Sequence, residues 1–234
     1  MKFYGDAPYA NMDMQFDQLQ HDLLVAQIKK HNIKSGIETG THLGLGSTKN
    51  IAKAFLEAGE TKDVNFISLE ANHLNFAQAK KNLEAYEFIY PVLGSSCYRD
   101  SIVEFLQNDP VLQHPEHYPE IYIDFRDSTN AAQNYISESI GAGDTDLPDW
   151  DGFGLLPQWL QNQKDDHVLI VLDSAGGLGW LEFSIVLQYS RPYTLLLDDV
   201  EHVKHFRSLE YIKNPAHGFK LLGSQNGWAL AERG

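Results

Sequence analysis

The amino-acid sequence predicts an α/β fold: a mostly parallel sheet with helices on both faces, a C-terminal antiparallel hairpin and one inserted segment. Three observations predict it. Short apolar runs alternate with stretches of helical spacing, the pattern of stacked crossover units. One of those runs, Val168-Leu169-Ile170-Val171-Leu172, is apolar at every position, as a central strand covered on both faces requires. Near the end of the chain, two apolar runs flank Ser224-Gln225-Asn226-Gly227 with no helical stretch between them, and Asn-Gly is a strong hairpin signal.

The first element in order is an amphipathic helix over about residues 14–31. Phe16, Leu19, Leu23, Leu24 and Ile28 recur there at helical spacing and would cover one face of the sheet. Strand-like runs follow at Gly36 to Gly40, Val64 to Glu70, Phe88 to Gly94, Val168 to Asp173 and Tyr193 to Val200. Helical spacing falls between them, roughly over 49–58, 73–85, 99–107, 178–190 and 202–213. Pro91 cannot donate to a ladder, so the third run belongs at a sheet edge. The interval from Pro110 to Asp166 breaks the alternation. It holds a brief alternation at Ile121, Ile123 and Phe125, then the turn-forming Gly141-Ala142-Gly143-Asp144 and Pro148-Asp149-Trp150-Asp151-Gly152. More than about 50 residues are too many for an ordinary connection. Residues 110–166 therefore read as an insertion in a single domain spanning 1–234. It is either a lid that shapes a substrate site or a dimerisation arm.

Charge and composition narrow the function. The 234 residues carry 18 Lys+Arg against 32 Asp+Glu, a formal net charge of −14. That balance argues against holding nucleic acid or an anionic membrane by bulk charge. The apolar runs are far too short to span a bilayer, and the first residues lack the apolar stretch of a secretory signal, so a cytoplasmic protein is expected. The single cysteine, Cys97, excludes an internal disulfide and a cysteine-built zinc site.

Chemistry concentrates at the predicted C-terminal ends of the strands. The first strand runs into Glu38-Thr39-Gly40-Thr41-His42-Leu43-Gly44-Leu45-Gly46-Ser47-Thr48, a turn with three glycines ahead of a helix that starts near Ser47 or Thr48. Glycines there permit positive φ and close backbone approach to a ligand, and the helix N-terminus favours a carboxylate or phosphate. Tight turns also need glycine for their own sake, and the spacing is neither the dinucleotide fingerprint nor a phosphate loop. The second strand ends in Glu70, where a carboxylate can accept both hydroxyls of a ribose; the plain alternative is a solvated carboxylate ahead of the Asn72 cap. The third ends in Gly94-Ser95-Ser96, small and polar where an adenine ring could be met.

These residues resemble the motifs of the class I S-adenosylmethionine-dependent methyltransferases, in particular the metal-dependent, catechol-type O-methyltransferases. The resemblance lies in Glu38-x-Gly40-x-His42-x-Gly44-x-x-Ser47, the strand-end Glu70 and the final hairpin, and it covers most of residues 33–232. It implies a Rossmann-like seven-stranded sheet with an antiparallel last strand. It implies S-adenosylmethionine as cofactor, held by Glu38, Gly40, Thr41, Gly44, Ser47, Glu70, Ser95 and Ser96. In that scheme the glycines wrap the methionine part, Glu38 orients its amino end, Glu70 holds the ribose and a serine lies near adenine. It also implies a divalent ion such as Mg²⁺ on Asp173, at the tip of the fourth strand, and on Asp198 and Asp199, at the tip of the fifth, where the family carries Asp-Asn. Oxygen ligands suit Mg²⁺, Mn²⁺ or Ca²⁺. The reaction implied is methyl transfer to a small-molecule hydroxyl or amine.

The sequence departs from that family at one place. Its catalytic lysine after the fourth-strand Asp is missing, since Asp173 is followed by Ser174-Ala175-Gly176-Gly177-Leu178. His202 and His205, at i and i+3, are the candidate catalytic replacements beside Asp173, or could complete a metal site. Adjacent Asp198 and Asp199 can serve one ion only if the strand has ended before them; otherwise Asp199 caps the next helix. Lys204 and Arg207 are either solvated or hold an anionic substrate. Tyr122, Arg126, Tyr135, Trp150 and Phe153 would shape the acceptor site, although Trp150, Trp159 and Trp180 also suit plain packing. Two rivals stand beside methyl transfer: a metal-dependent enzyme of other chemistry on the same fold, and a non-catalytic protein that binds the cofactor or a partner. The expected partner is a small-molecule acceptor, with no nucleic acid and no membrane; a homodimer is left open.

Overall fold

A computed structural model describes residues 1–7, 16–59, 61–141 and 152–234. Seven strands form one sheet: β1 (Ser35–Thr39), β2 (Asn65–Glu70), β3 (Ile89–Leu93), β4 (Val168–Leu172), β5 (Tyr193–Leu197), β6 (Phe219–Gln225) and β7 (Trp228–Arg233). Their spatial order is β3-β2-β1-β4-β5-β7-β6, and β7 alone runs antiparallel to the other six. Pro91 sits in the edge strand β3, as its missing N–H demands. The hairpin turns on Asn226 and Gly227, both at positive φ (47° and 87°), which is the backbone a two-residue type I′ turn needs.

Nine helices are described: α1 (Gln18–His31), α2 (Ser47–Ala58), α3 (His73–Asn82), α4 (Arg99–Asn108), α5 (Pro110–Gln113), α6 (Ala131–Gly141), α7 (Leu155–Asn162), α8 (Gly179–Val186) and α9 (Phe206–Lys213). One face of the sheet packs Phe66, Leu169, Val171 and Leu196 against Leu24 and Ile28 of α1 and Ile51 and Phe55 of α2. The other packs Ile37, Ile170, Leu172 and Leu195 against Leu156, Phe183 and Ile212 of α7, α8 and α9. The first helix starts later than its apolar pattern predicts. Asp17 caps it by accepting the Gln20 N–H at 3.1 Å, and Phe16 and Leu19 stay exposed, so the buried stripe is carried by Leu24, Val25 and Ile28.

A third cluster of buried side chains lies beyond the C-terminal ends of the strands. Ile102 and Leu106 of α4, Val111, Ile123, Tyr135, Leu178, Val203 and Phe206 meet there. The interval expected as an insertion supplies α5, α6, α7 and a two-residue strand, Tyr122–Ile123, that pairs in parallel with Lys2–Phe3. Tyr122 also bridges to His202, with its N–H donated to Glu201 O (3.2 Å) and its carbonyl accepting from Val203 N (2.9 Å). The N-terminal segment, the insertion and the loop after β5 thus form one small assembly over the strand tips. That docking explains a shift in the last crossover helix. The sequence pattern begins it at residue 202, but residues 200–205 are held as turns and α9 begins at Phe206.

Candidate active site

A cavity of about 670 Å³ opens at the C-terminal edge of the sheet. Of the residues expected to hold a cofactor, Gly40, Thr41, Ser47, Glu70, Ser95 and Ser96 line it, and so do Asp173, Asp198, Asp199 and His202. Glu38, Gly44 and His205 do not line it. The insertion adds Asp124, Glu138 and Ser139, and the N-terminal segment adds Tyr4 and Gly5. Trp150 lies outside the described residues.

On the β1–β2 side the wall is set by backbone. Gly40 has φ +87°, and a Cβ there would stand 2.2 Å from the Asp173 carbonyl oxygen, so only glycine lets β1 and β4 come this close. Gly44 (φ +72°) instead makes room for the Leu83 side chain, away from the cavity. Glu70 accepts the His42 N–H on Oε2 (2.6 Å) and the Asn72 N–H on Oε1 (2.7 Å), which fixes its carboxylate at the cavity edge. Burial raises its pKa while those two amides pull it back. Glu38 lies one layer beneath. Its Oε2 accepts from Thr48 Oγ1 (2.6 Å) and Ser68 Oγ (2.5 Å); since Ser68 has spent its proton, Thr41 Oγ1 is the donor in the 2.5 Å contact between those hydroxyls. Full burial pushes Glu38 up to about 7, against the opposing hydroxyls of Ser47, Ser68 and Thr48. It therefore acts as the anchor of the glycine turn and of the N-terminus of α2.

A second buried carboxylate, absent from the sequence reading, joins the strand tips. Glu182 of α8 accepts from Thr39 Oγ1 (3.1 Å) and Ser174 Oγ (2.8 Å) on Oε2, and from the Ser96 hydroxyl on Oε1. Ser96 thus spends its proton inward, although it borders the cavity. No motif signals Glu182, because its partners come from the ends of β1, β3 and β4 and meet only in the folded chain.

The β4–β5 side is acidic. Carboxylate oxygens of Asp173, Asp198 and Asp199 lie within 4.8 Å of one another. The strand ends at Leu197, and Asp199 adopts φ +54°, so the two adjacent aspartates escape the opposite-face rule and both reach the cavity. Lys204 stands among them, its Nζ 3.2 Å from Asp173 Oδ1 and 2.8 Å from Asp199 Oδ2. Burial opposes its charge, but the three aspartates together hold its pKa well above the ordinary lysine value. Tyr4 Oη donates to Asp199 Oδ1. Asp198 and Asp173 are hydrogen-bonded to each other, and burial raises both, Asp198 the further.

The histidines divide. His205 is fully buried, its Nε2 against Leu172 O (3.1 Å) and its Nδ1 against Ser208 Oγ (3.2 Å), and burial lowers its pKa well below the usual histidine value. It ties the loop to β4. His202 does line the cavity, but its Nδ1 accepts the Lys204 backbone N–H (3.2 Å). The ring proton therefore sits on Nε2, which faces Asp124 Oδ1 at 3.4 Å, and the neutral ring has no lone pair left for a substrate proton. Arg207 is committed elsewhere, in a two-pronged pair with Asp109 (3.0 and 2.6 Å) and against the Trp180 ring. Trp159 is buried beside Leu156 and Leu160, and Trp180 packs on Phe183 and Tyr211, so both serve packing. Arg126 lies over the Phe3 ring and Tyr135 is buried against Asp124 and Phe125.

No protein-family model and no curated protein matches the sequence. The fold does match solved structures. The O-methyltransferase from Bacillus cereus, in complex with SAH, superposes with a TM-score of 0.50 at 14% identity, over 94% of this chain and 83% of that one. The O-methyltransferase TomG from Streptomyces achromogenes, in complex with SAM, gives 0.47 at 14% identity, over 97% and 82%. The chain has the class I methyltransferase fold, with the strand order and antiparallel last strand described above. Among the described residues no helix is long and apolar enough to cross a membrane.

Proposed function

We propose that the protein is a methyltransferase that uses S-adenosylmethionine to methylate an oxygen of a small molecule. The observation that carries this reading is the shape and charge of the cavity at the strand tips. It combines a glycine-gated approach at Gly40, a fixed carboxylate at Glu70 and an acidic far wall made of Asp124, Glu138, Asp173, Asp198 and Asp199. A sulfonium cation is favoured electrostatically in such a setting. When bound, the cofactor supplies an electrophilic methyl group on sulfur. Gly40, Thr41 and Ser47 would hold its methionine end, Glu70 its ribose hydroxyls, and Ser95 its adenine. Glu38 supports this from behind, through Thr48 and the Ser68–Thr41 hydroxyl pair.

The chain's own groups then have to align the acceptor and take its proton. Within the hydrogen-bonded Asp173–Asp198 pair, Asp198 holds the shared proton and Asp173 accepts it, so the ionised Asp173 carboxylate is the basic group of the cavity floor. In methyl transfer to an acceptor hydroxyl, a carboxylate oxygen of Asp173 would take the hydroxyl proton. The cofactor would supply the methyl group and the leaving thioether, whose loss of positive charge balances the proton taken by the carboxylate. Asp124, Glu138 and the N-terminal Tyr4 would form the wall over the acceptor and help to align it for an in-line displacement. With the charge of Lys204 offset by two aspartates and that of Arg207 by Asp109, neither cation the sequence offered has charge to spare for an anionic acceptor. The acceptor class supported best is a neutral or cationic compound bearing a hydroxyl.

A divalent ion does not fit the aspartate trio as it stands, because the Lys204 ammonium lies between two of the carboxylates. No step is therefore assigned to one. The test is transfer of labelled methyl from S-adenosylmethionine to a panel of neutral and cationic hydroxyl compounds. Transfer to oxygen, at least tenfold reduced in Asp173→Asn, is expected; no transfer to any of them, together with no cofactor binding, overturns the reading.

A further inference from the structure

We propose that Lys204 is the resident cation of the Asp173–Asp198–Asp199 trio, that the site works without a divalent ion, and that Lys204 is the positioning residue for the acceptor oxygen. The last clause rests on the methyl-transfer reading; the first two do not.

The position of Nζ is the first ground. It lies 3.2 Å from Asp173 Oδ1 and 2.8 Å from Asp199 Oδ2, inside a trio whose oxygens are all within 4.8 Å of one another. An ion coordinated at about 2.0–2.6 Å by the same oxygens would have to occupy that space. Both cations cannot be there, since they would repel at contact distance in a buried site.

The second ground is that the lysine is built in. Its side chain is only 5% exposed. Gly179 has no side chain where a Cβ would stand 2.5 Å from Lys204 Cγ and 2.5 Å from Lys204 O, so α8 begins with a notch that the lysine stem fills. Its backbone N–H is bound by His202 Nδ1, and the preceding residue, Val203, is bound by Tyr122 O of the insertion. Tyr4 takes the remaining oxygen of Asp199. Vacating the trio would break the ammonium's contacts to Asp173 and Asp199 and empty the notch at the start of α8, whereas an exposed lysine would simply swing away.

The third ground is chemical. An ammonium carries three N–H donors, and two are spent on Asp173 and Asp199. Lys204 borders the cavity, so the third can serve an acceptor oxygen. A lysine so placed does by hydrogen bonding what an ion would do by coordination: it fixes the oxygen and offsets the carboxylate charge around it.

The experiment is a Mn²⁺ titration followed by electron paramagnetic resonance, on the intact protein saturated with S-adenosylhomocysteine. Wild type is expected to show no stoichiometric Mn²⁺ site below millimolar concentration. Lys204→Ala is expected to bind one Mn²⁺ at least tenfold more tightly than wild type, and Lys204→Ala with Asp198→Asn to lose that gain. Lys204→Met, which keeps the stem and removes only the charge, gives the same comparison if the alanine variant fails to fold. A single Mn²⁺ site in wild type that disappears in Asp198→Asn overturns the proposal, as does the absence of any gain in a folded Lys204 variant. For positioning, transfer by wild type should be unchanged by a chelator, and Lys204→Met should raise the acceptor KM at least tenfold; an unchanged KM overturns that clause. Calorimetry with S-adenosylhomocysteine on the same samples separates the two claims. Absent cofactor binding sinks methyl transfer, while the Mn²⁺ result still judges Lys204.

Discussion

The two halves of the cavity are built from the chain in different ways. The β1–β2 half comes from short stretches that read in order: Gly40 and Thr41 follow one strand, with Glu38 buried beneath them, Ser47 opens the helix behind it, and Glu70 ends the neighbouring strand. The β4–β5 half is assembled from distant places, with Asp173 after β4, Asp198 and Asp199 after β5, Lys204 from the following loop, Tyr4 from the N-terminus and Asp124 from the insertion. The first half is held by backbone geometry and amide donors, the second by charge. A cofactor common to a fold can be gripped by local geometry, while acceptor chemistry is set by the segments that a given chain lays over its strand tips.

The sharpest way to break the first half is Gly40→Ala. Positive φ and a Cβ 2.2 Å from a backbone oxygen leave no room to relax, so unfolding by urea should show a loss of about 4 kcal/mol or more. Gly59→Ala is the control. Gly59 has φ +75° but nothing within 4 Å of an added Cβ, and about 1 kcal/mol is expected there. Equal losses at the two positions would mean that the β1–β4 approach at Gly40 does not matter.

Next in size is Glu182→Ala, which strikes both halves at once. It strips the partner from Thr39, Ser96 and Ser174, buried hydroxyls at the ends of three strands, and should cost about 3 kcal/mol by the same assay and weaken S-adenosylhomocysteine binding. Loss of stability with unchanged affinity would limit Glu182 to a role in folding.

The smallest expected effect is a pH dependence, isolated by comparing wild type with Glu38→Gln. Glu38 is raised in the folded state from 4.5 to about 7, so the fold keeps a proton there that the unfolded chain gives up. Its stabilising share is fully present below about pH 4.5 and is lost as pH rises through about 7, a change on the order of 2–3 kcal/mol. Melting curves should show wild type losing stability relative to the variant across that window. A constant difference would mean that Glu38 is not held protonated.

Much of this was legible before the structure. The seven strands, the edge position of Pro91 and the hairpin at Asn226-Gly227 follow from apolar runs and turn chemistry, which are local. So does the placing of Gly40 and Glu70 at the strand tips that border the cavity. The start of α9 was misplaced because Tyr122, far off in sequence, holds the loop before it in turns. His205 resembled a base at i+3 from His202, but the missing helical turn sends it inward to Leu172 O. Lys204 reads as either solvated or holding an anionic substrate, since nothing near it in sequence shows that Asp173 and the notch at Gly179 await it. Tyr4 and Glu182 gave no signal, as their partners are supplied only by the tertiary fold.

The most direct test of the central claim is calorimetric titration of S-adenosylhomocysteine into wild type and Glu70→Ala. The account predicts one bound equivalent in wild type, unchanged by a chelator, and a loss of at least tenfold in affinity in the variant, because the fixed carboxylate at the tip of β2 is gone. No binding to wild type, or equal binding to both, would contradict it.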